Sequence, residues 1–225
     1  MQEIINYLAN RGVEYLVHFT PVENLYTIQQ YGIVPRSELE KSGEDFVALD
    51  DVRHDGKDRS CFTLSFPNYT MMYRYRKEQN KYRSDVAVLF IPIEELNNFS
   101  NDQVLFYSTN AASNTSVEQR KSCSEKLKAV ENLFGKSAWT KSHQNFFREG
   151  TNLPSYFTTD PQAEVQIAGT IPWSAVRFLV MDARWVDIDW WRIQLQKDVF
   201  NKYNPFYKNG LDIFSYPQEW EPMRA

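Results

Sequence analysis

Six apolar residues stand in a row at Val86, Ala87, Val88, Leu89, Phe90 and Ile91, and Pro92 ends the run. Side chains of a strand alternate between two faces, so an unbroken apolar run predicts a strand covered on both. A strand of that kind needs a layer above it and a layer below it. The helical patterns elsewhere in the chain supply them, which makes a mixed α/β (α+β) domain the expectation. At 225 residues the chain can bury roughly 70% of its unfolded surface without staples. No repeat and no linker divides it, so one domain over residues 1–225 is expected.

The chain in order supports this. Ile4, Ile5 and Leu8 recur at helical spacing, and Gly12 stops that helix. Tyr15 to Thr20 reads as a strand, and Val22 to Tyr31 as a helix ended by Gly32. Ser37 to Asp58 is acidic and loosened by Gly43 and Gly56, which reads as a long loop. Ser60 to Phe66 alternates as a strand, and Met71 to Glu78 reads as a helix. Gln103 to Tyr107 is a further strand, Ser108 to Ser116 an aperiodic loop, and Val117 to Phe134 a surface helix. Ala175 to Met181 is a buried strand. A helix follows between Trp185 and Val199, with Asp187 and Asp189 suited to its N-terminus. The last 25 residues show no period and pack on the body.

Composition narrows the chemistry. Two cysteines and three scattered histidines have no metal-ligand spacing. Cys61 reads as a buried thiol. The net charge of -4 is not the basic balance of a protein that grips nucleic acid by phosphate neutralisation alone. Binding to nucleic acid would have to be local. The main basic run, Arg74, Arg76, Lys77, Lys81 and Arg83, is interleaved with Tyr73, Tyr75 and Tyr82. Two readings stand: a single-stranded nucleic-acid track and a charged helix face. With no apolar run near 18 residues and no signal-peptide pattern, the expectation is a cytoplasmic protein that does not enter a membrane.

One stretch carries chemistry. Thr158 to Pro161 reads as a turn, and Gln162 to Ile167 then alternates. Ala163, Val165 and Ile167 share one face; Gln162, Glu164 and Gln166 share the other. On pattern alone this is either a solvent-facing strand edge or the mouth of a site, with Glu164 positioned to face developing positive charge.

The phrase Thr159-Asp160-Pro161-Gln162-Ala163-Glu164-Val165 resembles the catalytic loop of the DarT family of nucleic-acid ADP-ribosyltransferase toxins. Two further blocks are similar to that family: His18-Phe19-Thr20 with Asn24-Leu25 and Gly32-Ile33, and Ser65 to Tyr69 with Met72-Tyr73-Arg74. The resemblance implies an ADP-ribosyltransferase-like domain in which two small β-sheets with flanking helices form a cleft for NAD+. It implies Glu164 and Arg53 as catalytic residues, with Arg59 as the fallback arginine. His18, Thr20, Asn24, Ser65, Tyr69 and Tyr73 would line the NAD+ site. Gln162, Arg74, Arg76, His143, Arg148 and Tyr156 would meet the nucleic acid.

No metal is implied. The acceptor would be a base of single-stranded DNA, guanine ahead of thymine, because the Arg53 loop departs from the spacing of thymidine-modifying members. RNA or protein acceptors, and a non-catalytic NAD or nucleic-acid binding module, stay open as alternatives. The resemblance further implies a toxin of a toxin–antitoxin or phage-defence system, with a macrodomain-type ADP-ribose hydrolase as its antitoxin.

Overall fold

The computed structural model describes residues 1–49, 56–78, 86–112, 126–139, 145–202 and 212–214. The apolar run Val86 to Ile91 forms an inner strand of its sheet. Strand β3, Val86–Pro92, lies between β1, Tyr15–Pro21, and β8, Phe178–Met181. Seven register pairs join β3 to β1, from Tyr15–Pro92 to Pro21–Val86. Its side chains then divide strictly by parity. Ala87, Leu89 and Ile91 belong to one buried cluster; Val86, Val88 and Phe90 belong to another. This is the two-faced burial that an uninterrupted apolar strand requires.

Helices cover the first face. They are α1, Gln2–Asn10, α2, Leu25–Tyr31, α5, Lys126–Leu133, and α6, Ile188–Leu195. They contribute Ile4, Ile5 and Leu8, then Leu25 and Ile28, then Ala129, Val130 and Leu133, then Trp191 and Leu195. The second face is covered by α4, Tyr69–Glu78, through Tyr69, Met72 and Tyr75, together with Phe157, Ile213 and Phe214. The tail thus packs on the body at the residues described. Asp187 caps α6 by accepting from the Trp190 amide.

The remaining strands extend the sheet. They are β2, Ser60–Leu64, β4, Val104–Tyr107, β7, Glu164–Ile167, and β9, Asp198–Asn201. The order is β4-β7-β2-β1-β3-β8-β9, and among the described residues only β8 and β9 run parallel. A separate hairpin pairs β5, Ser137–Trp139, with β6, Asn145–Phe147. The resemblance implied two small sheets, and here the expectation is corrected. One seven-stranded sheet forms, because β1 and β2 still pair at Leu16–Leu64 and Val17–Thr63. The join is narrow, two register pairs against seven on the other side of β1.

Three other expectations change. Arg36–Ser42 is a helix, α3, inside the stretch read as loop. It buries no residue, so no apolar period announces it. Its support is local: Arg36 pairs with Glu40 and Lys41 with Glu38, and Gly43 ends it in the left-handed region at φ 73°. The helix expected on the surface docks its Ala129, Val130 and Leu133 stripe into the core as α5. The last helix stops at Leu195, where Gln196 turns left-handed, and the chain continues as β9. Residues 117–125 of the expected long helix, Cys123, and Lys81, Tyr82 and Arg83 of the basic run lie outside the described residues. Arg53 and His143 do too. Among the described residues no helix is long and apolar enough to cross a membrane.

Candidate active site

Glu164 opens β7, the strand held between β4 and β2. Neighbours on both edges leave β7 no solvent edge, and all four of its residues are buried. Glu164 itself is 8% exposed. A buried carboxylate needs donors for its oxygens. Oε2 accepts from the Ala111 amide at 3.1 Å, and Oε1 accepts from Nε2 of Gln166 at 3.0 Å. The two donors come from different elements: the turn after β4 and the next same-face residue of β7.

Gln166 faces Cys61 across the β2–β7 ladder, where the two are register partners. Its Nε2 lies 3.8 Å from the Cys61 Sγ. The carbonyl of the same Cys61 meets Nδ1 of His18 at 2.8 Å. His18 stands one residue past the last β1–β2 pair, so its ring bridges the two strands where the backbone ladder stops. Phe62 packs against that ring at 5.4 Å between centroids. A continuous series therefore runs from His18 through Cys61 and Gln166 to Glu164 and the Ala111 amide.

The segment leading into β7 is tightly held. Thr158 Oγ1 donates to the Asp160 carbonyl, Thr159 Oγ1 to the Gly135 carbonyl, and the Ala163 amide to the Asp160 carbonyl. The Asp160 side chain accepts from the Gln162 amide at 2.8 Å, closing an Asx turn. Asp160 is 2% exposed, and Oδ2 has no aligned donor among the described residues. Burial pushes its carboxyl up to about 6, against the downward pull of Thr109 and the Gln162 amide.

The family model described as DarT, ssDNA thymidine ADP-ribosyltransferase, matches residues 17–187. The chain belongs to the DarT family. No curated protein sequence matches it. The fold agrees with solved DarT structures. Thermosipho africanus DarTG in complex with ADP-ribose is similar at TM-score 0.55 and 16% identity, over 84% of this chain and 50% of that one. Thermus sp. 2.9 DarT in complex with NAD+ is similar at TM-score 0.51 and 13% identity, over 83% and 94%. The same Thermus protein with carba-NAD+ gives 0.50 and 14% over the same shares. This chain thus spans half the length of the DarTG chain and nearly all of the Thermus DarT chain.

Within this DarT-family fold the other expected site residues fall into groups. Ser65 directly follows β2 in the left-handed region, at φ 63°, with its amide donating to the Tyr15 carbonyl. It is buried, and its Oγ has no partner among the described residues. A non-glycine residue held there stores strain. Tyr69 is buried in the second cluster, whereas Tyr73 and Arg74 of the same helix are exposed. Gln162 is half-buried in the turn before Glu164.

Thr20 and Asn24 form a clamp. Asn24 Nδ2 donates to Thr20 Oγ1 and to the Val47 carbonyl, and Asn24 Oδ1 accepts from the Val47 amide. The Asn24 side chain thereby pairs with the start of the acidic loop as a strand would.

Three residues expected at the nucleic acid are engaged elsewhere. Arg148 donates to the Phe157 and Pro154 carbonyls and to Thr159 Oγ1, at 2.8, 2.5 and 3.3 Å. Burial, with Arg11 nearby, holds its pKa below the usual value. Arg76 donates to the Phe214 carbonyl and lies over that ring. Tyr156 packs between the two clusters and edge-on to Phe157. Arg59 spans to the Gln103 and Asp102 carbonyls. The residues that sequence reasoning missed are Gln166 and the Ala111 amide. Gln166 sits on the same polar face as Glu164, and that alternation was the available signal. A backbone donor leaves none. Among the described residues no cluster of three or more His, Cys, Asp or Glu could hold a metal ion.

Proposed function

We propose that this chain transfers ADP-ribose from NAD+ to a base of single-stranded DNA, with Glu164 as the residue that acts on the reacting ribose. The observation that carries this reading is the placement of Glu164, buried, doubly hydrogen-bonded and at the start of an inner strand in a DarT-family domain. A carboxylate fixed in advance costs no reorganisation as charge develops. In the reaction, the bond between ribose C1′ and the nicotinamide nitrogen breaks, and nicotinamide leaves with the electron pair. C1′ becomes oxocarbenium-like, and Glu164 stabilises that charge. A base nitrogen attacks C1′ with its lone pair, and its proton passes to Glu164 or water.

Other residues take supporting parts in this reading. Arg53 steadies the pyrophosphate. His18, Thr20, Asn24, Ser65, Tyr69 and Tyr73 shape the dinucleotide site, Thr20 and Asn24 by holding the loop that leads to Arg53. Gln162 meets the acceptor. A single strand suits the reaction because its bases are already accessible without flipping. The loop containing Arg53 favours guanine as acceptor, and the family description names thymidine. We further propose that residues 1–225 form one domain of a cytoplasmic toxin, neutralised by an antitoxin of the macrodomain ADP-ribose hydrolase type.

The test uses labelled NAD+ with single-stranded DNA carrying one thymine or one guanine, with single-stranded RNA, and with a protein extract. Label on DNA that falls by on the order of 10²- to 10³-fold in Glu164→Ala supports the proposal. Label on RNA or protein alone refutes the DNA assignment, and wild-type labelling by Glu164→Ala refutes the role of Glu164.

A further inference from the structure

The bond from Gln166 to Glu164 has a consequence for the reaction. A strand glutamate has three rotatable side-chain bonds, and a transferase needs its carboxylate in one place. The Ala111 amide can fix one oxygen only. The second oxygen is held by the Gln166 amide at 3.0 Å. Gln166 is 1% exposed, so water does not compete for that bond.

The amide is itself oriented. Cys61 Sγ lies 3.8 Å from the same Nε2, on the strand paired with β7. Cys61 also carries the carbonyl that meets the His18 ring. The two strands flanking the narrow join are thus tied to one carboxylate through one buried amide.

We propose that Gln166 is a positioning residue that fixes the rotamer of Glu164, and that it ties that rotamer to the packing of β2 through Cys61. This rests on the reading of Glu164 given above. Gln166 does not touch the reacting atoms. It supplies a neutral donor where a second carboxylate would compete for a proton and an apolar side chain would leave Oε1 without this bond. The titratable side chains on the two strands flanking β7 are Cys61 on β2 and Tyr107, opposite Glu164 on β4; beyond β2, β1 carries Tyr15 and His18.

The experiment compares wild type, Glu164→Ala, Gln166→Leu and Gln166→Glu on a single-stranded DNA acceptor, with folding followed by circular dichroism. Gln166→Leu keeps the volume and removes the donor. Its kcat falls on the order of 100-fold, the loss expected of a misplaced catalytic group, while KM for NAD+ moves less than about 3-fold. Gln166→Glu sets two carboxyls in hydrogen-bond contact, which raises the pKa of one of them. The acid limb of its pH–rate profile therefore moves to higher pH, a change that mere loss of folded protein does not produce. A folded Gln166→Leu protein at wild-type kcat overturns the proposal. So does a Gln166→Glu profile whose acid limb coincides with wild type, and that result counts even where Gln166→Leu fails to fold. Undiminished transfer by Glu164→Ala instead refutes the underlying reading of Glu164.

Discussion

Replacing Asp160 by Asn should stabilise the protein at neutral pH and leave it almost unchanged in acid. The carboxyl is 2% exposed, and burial raises it from its ordinary 3.8 to about 6. Between those values the folded state binds more protons than the unfolded state, so stability falls as pH rises through the window. Above about 6 both states are ionised, and the loss is complete. That rise corresponds to about 3 kcal/mol. Asn keeps an oxygen to accept the Gln162 amide and puts a neutral NH₂ in the place of Oδ2, which has no aligned donor among the described residues. The assay is urea unfolding followed by tryptophan fluorescence at pH 4, 5, 6 and 7. The variant and wild type should lie within about 1 kcal/mol of each other at pH 4. By pH 7 the variant midpoint should be higher by roughly 1 M urea. Parallel pH curves for the two proteins would refute the reasoning, because the pH-dependent difference then could not come from this carboxyl.

Two further outcomes follow from the clamps around the site. Arg148→Ala removes the donor from two carbonyls and one hydroxyl, and should cost about 2 to 4 kcal/mol, seen as a Tm lower by roughly 5–10 °C. Arg148→Lys should recover less than half of that, since an ammonium lacks the planar fork. Asn24→Ala frees both backbone groups of Val47, and amide exchange at Val47 should speed up about 10-fold or more while the exchange of β3 stays unchanged.

What was legible followed period and punctuation. Val86 to Ile91 announced a two-faced strand, and it became an inner strand of the sheet, with alternate residues in separate clusters. Gly12 and Gly32 marked real helix ends. Gly32 at φ 84° cannot be replaced freely: an added Cβ would stand 2.4 Å from the Ile171 carbonyl oxygen. The elements missed are those whose support is not apolar. Helix α3 is held by surface ion pairs and buries nothing, and the β5–β6 hairpin has three residues per strand. No hydrophobic period can report either.

The site divides the same way. A short motif points to Glu164, and its pattern alone left two environments open, a solvent-facing edge and the mouth of a site. Polar alternation from Gln162 to Gln166 looks like a strand with one face in water, and that inference assumes an edge or an open face. β7 has neither, since β2 and β4 flank it and all four of its residues are buried. Buried polar alternation is costly unless each group is bonded, so the pattern itself selects its partners. Gln166 must find an acceptor, Glu164 must find donors, and they lie two residues apart on one face. The polar face of the strand is thus a hydrogen-bonded pair, and the Ala111 amide in the turn after β4 supplies the other donor to Glu164. The same polar pattern reads as solvation on an edge strand and as a buried hydrogen-bond network on an inner one. Sheet order, a long-range property, decides between them.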